Sequence, residues 1–277
     1  MKLMNSSENI FFINLACGNT FIKSKNWLNF DYQKRDSVIK VNLLKKLPIN
    51  NNYADIVYCS HFIEHIPENK VNFFLTECKR ILKNQGIIRL VTPDFKKMAE
   101  EYIFQRNSSD NKKSSFMMTS IIDQFVRVVP GGKLKLAFEE AEKNNDYGLQ
   151  DYIYKRTGYD FKNLINKNTN IPKANSLHNK IESFIFKKYC ALISSFLPKD
   201  FKDQNLSLAN LGEKHAWIYD KDSIKNLLEL AGFKNVTEVS ESKSLINDFP
   251  FKELDVNMDG VPKKGFDSMF IEAIKKN

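Results

Sequence analysis

Short apolar runs punctuate the first hundred positions, and between them apolar residues recur at helical spacing. Ile10–Leu15 (IFFINL) reads as a buried strand that runs into the turn ACGNT, and WLNFD, VIKVN and ADIVYCS read as the second, third and fourth strands. In ENKVNFFLTECKRILKNQG, the residues Val71, Phe74, Leu75, Cys78, Ile81 and Leu82 fall on one helical face, with Gly86 as the expected stop. IIRLVTP is a fifth strand and DFKKMAEEYIFQR a following helix. Strands alternating with helices predict an α/β fold around a mostly parallel sheet.

The rhythm breaks near Asn107. NSSDNKKSS is polar and reads as an exposed loop. Roughly a hundred helical or irregular residues follow, with VVPGG as a turn. The most apolar stretch, SFIFKKYCALISSFLP (Ser183–Pro198), carries Lys187 and Lys188 in its middle. It reads as the core helix of a helical subdomain, with a membrane-surface helix as the alternative. The α/β pattern resumes near Trp217. DKDSIKNLLELAGF is an amphipathic helix capped by Asp222 or Ser223 and stopped by Gly232, and KNVTEV and SMFIEAIKK are the closing strands. The expected organisation is one α/β domain made of residues 1–106 and 212–277. Residues 107–211 form a large helical insertion before its last helix and two strands, a cap over the acceptor site.

Composition narrows the function classes. The 277 residues include 42% hydrophobic positions, enough for a sizeable core. The net charge of +9 is spread along the chain with no Arg-rich run, so the expected partners are anionic or membrane-associated rather than nucleic acid. Cys17, Cys59, Cys78 and Cys190 form no C-x-x-C pair, which points to a reducing compartment and away from a disulfide framework. The first apolar run is interrupted by Asn14 and lacks a small-residue cleavage site, so it reads as a strand, not a signal peptide. The expected setting is cytoplasmic, with peripheral contact at the inner membrane face as an open extension.

Two of the four histidines stand in CSHFIEHIPE, where His61, Glu64 and His65 spell H-x-x-E-H. A zinc site of that motif needs both histidines one turn apart on a regular helix. Here a strand runs straight into His61, and Pro67 suits the first turn of the next helix, so no metal is expected at this pair. The motif instead lines a loop at the carboxyl end of strand four, where open parallel sheets bind ligands. NLACGN follows strand one, with Gly18 allowing close approach to the backbone, and Asp31 ends strand two, where a carboxylate can hold both hydroxyls of a ribose. The single glycine and the short Gly18–Asp31 spacing fit a nucleoside without pyrophosphate better than a dinucleotide.

In these motifs the sequence resembles class I S-adenosylmethionine-dependent methyltransferases of the type 11 kind. INLACGN is similar to their first motif, WLNFD to their second, and LPINNNYADIVYCSHFIEHIP and LTECKRILKNQGIIRLVTPDF to the stretches through strands four and five. KHAWIYDKDSIKNLLELAGFKNV and SMFIEAIK resemble the end of a subset associated with polysaccharide and glycolipid biosynthesis. The resemblance implies a Rossmann-like methyltransferase sheet and S-adenosyl-L-methionine as cofactor. Asn14, Ala16, Cys17, Gly18 and Asn19 would border its methionine part and Asp31 its ribose. Asn42 and Leu43 would flank adenine, and Ser60 and His61 the sulfonium end. In some relatives a histidine at the position of His65 is catalytic. His65 is therefore the first candidate general base for methylating a sugar hydroxyl, His215 the second, and Glu64 the orienting group. The acceptor class is a small molecule or glycan, with a lipid-linked glycan suited to the basic insertion. Ala16, Asn14 and Asn42 depart from residues common at these positions. A catalytically inactive module that holds a nucleoside or glycan is thus the contrasting reading, and a metal-dependent hydrolase built on H-x-x-E-H is the third.

Overall fold

The computed structural model describes residues 10–161, 185, 188–190, 192–207, 209 and 212–276. Seven strands form one sheet in the order β3-β2-β1-β4-β5-β7-β6. They are β1 (Phe12–Leu15), β2 (Trp27–Asp31), β3 (Ile39–Lys40), β4 (Ala54–Ser60), β5 (Leu82–Pro93), β6 (Phe233–Val239) and β7 (Ser268–Lys275). The first five pair in parallel, and β7 runs antiparallel between β5 and β6. Strand order reverses between β1 and β4, the place where an open sheet leaves a crevice at its carboxyl edge. Ser268 pairs with Pro93, so the first residue of β7 also stands at that edge.

The pleat of β4 and β5 sorts their side chains between two cores. Val57, Cys59, Ile88 and Leu90 face one side, where α1 (Glu68–Ile81) and the helix that precedes β6 pack. Ile56, Tyr58, Ile87 and Val91 face the other, which is covered by Ile246, Phe249 and Leu254 from the long β6–β7 connection. Arg89 shares this second face and is fully buried. Its guanidinium pairs with Asp255 at 2.7 Å and Glu272 at 2.6 Å, and it stacks over the rings of Phe249 and Phe270. Tyr58 donates from its hydroxyl to Asp255 Oδ1 at 2.7 Å, so both carboxylates are matched inside the core.

Beyond β5 come α2 (Phe95–Asn107), α3 (Asn111–Val126), α4 (Gly132–Lys143) and α5 (Tyr147–Thr157). They enclose a separate small core of Met98, Phe116, Met117, Ala141, Ile153 and Phe161. Further along are α6 (Lys199–Asn205), α7 (Lys221–Leu230), which is the helix before β6, and a short α8 (Phe251–Leu254). Among the described residues, no helix is long and apolar enough to cross a membrane.

Several local expectations are corrected. The third strand shrinks to Ile39–Lys40. NSSDNKKSS is a loop only as far as Asp110, whose carboxylate accepts from Lys113 N and starts α3. The helix before β5 ends at Ile81 and not at Gly86; a side chain at Gly86 would press on Asp55 O and Lys83 O, so this glycine serves a close backbone approach. The cap of α7 is Asp220, joined with Ser223 in a reciprocal capping box. Of the stretch 183–198 read as a core helix, residues 183, 184, 186, 187 and 191 lie outside the described residues, as does His178. At the described positions Ile185, Tyr189, Leu192, Ile193 and Phe196 are exposed and none joins the small core, so the described part is not a core helix.

Removing one partner from the buried ion network leaves two carboxylates unmatched. Arg89→Ala is expected to destabilise the fold by about 3–5 kcal/mol, read from the urea unfolding midpoint.

Candidate active site

Leu15 ends β1, and the chain turns through Ala16 and Gly18, both with positive φ (54° and +53°). No heavy atom lies within 4 Å of where a Gly18 side chain would begin, so the main chain of this turn is open to a ligand. Gly18 N donates to Asp31 Oδ2 at 2.9 Å, and Gln33 N donates to Asp31 Oδ1 at 2.9 Å. Arg35 donates to Gly18 O at 3.0 Å and lies 3.6 Å from Asp31, a neighbour the sequence did not single out. Asn14 is fully buried and donates to Thr20 O at 3.0 Å, which makes it a clamp on the 16–20 turn. Cys17 is buried, and burial followed by the Asp31 charge pushes its thiol up to about 12, out of reach of nucleophilic chemistry. Asn19 is exposed at the turn tip. Asn42 Oδ1 accepts from Leu44 N at 2.9 Å and closes a turn after β3, while Leu43 is buried in the main core. Asn14 and Leu43 therefore hold the site's walls from behind rather than offering side chains to it.

At the end of β4, Ser60 leads into His61, whose φ of 49° is left-handed and whose N–H donates to Val91 O at 2.8 Å. A 3₁₀ turn, Ile63–His65, follows, and Pro67 caps α1. His61 and His65 are thus not one turn apart on a regular helix, as Pro67 implied. His61 Nε2 lies 2.9 Å from Ser268 Oγ, and its Nδ1 3.3 Å from Glu64 Oε1. Glu64 is fully buried. Its Oε2 accepts from the Thr92 hydroxyl at 3.3 Å, and its main-chain oxygen accepts from Ala216 N at 2.7 Å and Trp217 N at 3.1 Å. Its Oε1 accepts no hydrogen bond of sound geometry. His65 Nδ1 donates to Lys214 O at 2.9 Å, its Nε2 lies 3.9 Å from Glu64 Oε1, and its ring meets that of His215 edge-on at 4.7 Å. His215 is buried, with its N–H donating to Gln124 O at 2.9 Å. The structure therefore gathers His61, Glu64, His65 and His215 from two distant stretches of chain.

Burial dominates the electrostatics of this group. It pushes the Glu64 carboxyl up to about 8 and the His215 imidazole down to about 3, the latter helped by His65 and Arg127. It also lowers His65, and it holds His61 well below the usual imidazole range.

A cavity of about 350 Å³ opens beside His61. Ser120 and Gln124 of α3, Phe138 of α4 and the Arg156–Tyr159 segment line it, opposite Lys264, Asp267 and Ser268. His65 and His215 are not among its lining residues. Two glycines close it: a side chain on Gly158 would overlap Lys263 O, and one on Gly265 would overlap Arg156 O, so the end of α5 and the approach to β7 cross backbone to backbone. Arg156 pairs with Asp267 across the same crossing. Sequence reasoning missed Arg156, Lys264, Asp267 and Ser268. Their only local signal was the isolated glycines, one just after a helical pattern and one just before a strand.

A family model described as a methyltransferase domain matches residues 22–90, from the approach to β2 into β5. Those residues, about a quarter of the chain, resemble that domain. The strand order of the sheet is the Rossmann-like one expected from the sequence. Among solved structures, an S-adenosylmethionine-dependent methyltransferase from Archaeoglobus fulgidus is 12% identical, with 96% of this chain and 86% of that chain aligned and a TM-score of 0.38. A possible histamine N-methyltransferase from Thermotoga maritima is also 12% identical, over 96% and 82% of the two chains, with a TM-score of 0.39. A methyltransferase from Mesorhizobium loti is 14% identical over 31% of this chain, with a TM-score of 0.24, and the chain spans 47% of its length. No curated protein matches the chain.

The residues at the β1 and β2 ends fit the cofactor: an open main-chain turn at Gly18 beside a half-buried carboxylate at Asp31. Asp31→Ala should weaken S-adenosylmethionine binding by roughly 1.5–3 kcal/mol, the scale of hydrogen bonds to a charged group. Titration calorimetry on both proteins decides it, and equal affinities would remove Asp31 from the site.

Proposed function

We propose that the protein is an S-adenosylmethionine-dependent methyltransferase that O-methylates a sugar hydroxyl of a glycan or glycolipid precursor, with a histidine as general base. The observation that supports it most is the position of His61. It directly follows the strand that borders the crevice at the sheet's carboxyl edge, and it also lines the cavity beneath the helical segment. S-adenosylmethionine, when bound, supplies a methyl group on a sulfonium, a good leaving group that needs no further activation.

The chain's own residues then have three tasks. The Gly18 turn and Asp31 hold the nucleoside. The cavity, rich in polar side chains from Gln124, Arg156, Tyr159 and Lys264, orients a polyhydroxylated acceptor and excludes water. His61 takes the hydroxyl proton on Nε2, where Ser268 Oγ now sits, and the Glu64 carboxyl lies 3.3 Å from its Nδ1. This geometry favours His61 over His65 as base, since His65 Nδ1 is committed to Lys214 O and its ring is not on the cavity wall. Met118, Ile122 and Val126 lie exposed at four-residue spacing along α3, an apolar face that suits an acceptor carried on a lipid.

His61 has a left-handed backbone, which asparagine also tolerates, so His61→Asn removes the base with little strain. It should lower single-turnover methyl transfer to host glycans and glycolipids by about 10²–10⁴-fold while calorimetry shows cofactor binding retained. Transfer at the wild-type rate would leave His61 structural. Cofactor binding without transfer to any acceptor in the wild type would favour the inactive binding module.

A further inference from the structure

From the sequence no metal is expected at His61 and His65, because a strand runs into the first and Pro67 follows the second. The structure offers a different ligand set. We propose that Glu64, His65 and His215 form a binding site for a divalent transition cation of the zinc class, set behind the cavity wall and outside the acceptor's path.

Four independent features support it. One ligand atom from each residue lies within 4.8 Å of the other two. Zinc ligands at about 2.0–2.2 Å from the metal stand about 3.4 Å apart, so a small inward movement closes the set. Glu64 Oε1 is buried without a hydrogen bond, a costly state for a polar atom unless something binds it. His65 donates from Nδ1 to Lys214 O, which fixes the tautomer with its lone pair on Nε2, the nitrogen that faces Glu64. A ring nitrogen held by a backbone carbonyl, with the other free, is the usual support for a metal-bound histidine. The carboxylate is supported in the same way, by the Thr92 hydroxyl on Oε2.

The scaffold is fixed before any ion arrives. Ala216 N and Trp217 N both bond to Glu64 O, and His215 N bonds to Gln124 O, so the His215 arm is fastened to the 63–65 turn and to α3. Two histidines and one carboxylate suit zinc, which leaves a fourth position for water. Nearby Arg127 does not oppose a cation, because Asp123 at 2.6 Å and Glu213 at 3.9 Å match its charge. Lys264 lines the adjoining cavity, and as a cation it competes for Glu64. A cation bound here would lock the segment returning from the helical region onto the strand-four loop. It would also keep Glu64 oriented towards His61.

The test is metal binding by the full chain and needs no methyl acceptor. Chelator-stripped protein is titrated with Zn²⁺, and with Co²⁺ as a spectroscopic probe, and its melting temperature is followed. One equivalent should bind, raise the melting temperature and give a tetrahedral Co²⁺ spectrum. Thr92→Val, which touches only the carboxylate's support, should weaken binding about 10–100-fold. His215→Ala should abolish both the spectrum and the thermal shift. If stripped wild type takes up no zinc, or if His215→Ala binds it as well as wild type, the site is overturned. Because cofactor calorimetry is separate, a failure here leaves the methyl-transfer reading standing, and the reverse also holds.

Discussion

One carboxyl group organises the centre of this protein. Glu64 has no solvent exposure, yet every acceptor atom it owns is aimed at a different part of the fold. Its main-chain oxygen ties down Ala216 and Trp217, Oε2 reaches Thr92 on β5, and Oε1 faces His61 and His65. Burying a carboxyl costs several kcal/mol unless its surroundings return it in hydrogen bonds, protonation or a cation. The backbone oxygen of residue 64 links the strand-four loop to the segment that returns to the α/β domain, and the carboxyl adds Thr92, His61 and His65 to that junction.

Around that anchor the molecule separates two jobs. The parallel strands and their loops make the end proposed to hold the nucleoside, where Gly18 leaves the main chain open beside the Asp31 carboxylate. The helices α2–α5 have their own small core, so they can vary in shape without disturbing the sheet. They meet the sheet's carboxyl edge at the crossing of Gly158 and Gly265 and at the Arg156–Asp267 pair. His61 stands where the two halves meet. Arg89 performs a matching service on the opposite face, where it binds the long β6–β7 connection into the second core through Asp255.

Much of this was legible in the chain. β4 and the helical face of α1 follow from apolar periodicity, and both are found as read, because each segment's pattern agrees with its burial. The stop of α1 was misread at Gly86, since a glycine marks close approach as readily as a helix end. The loop expected at NSSDNKKSS was cut short by an Asp110 cap that composition hides. The strand-end residues Gly18, Asp31 and His61 were legible from motif order. Their neighbours were not: Arg156, Lys264 and Ser268 are brought in by tertiary crossings between segments more than a hundred residues apart, and no local pattern encodes such a crossing. The same limit explains why His215 could be named as a candidate while its contacts with His65 could not.

The most direct measurement is a crystal structure with S-adenosylhomocysteine bound. The account predicts ribose hydroxyls on Asp31, the amino-acid part over the Gly18 turn, and the sulfur beside Ser60 and His61, pointing into the cavity that Arg156 and Tyr159 line. A ligand seated instead in the groove formed by Lys97, Lys221 and Glu238, with the Gly18 turn unliganded, would contradict it.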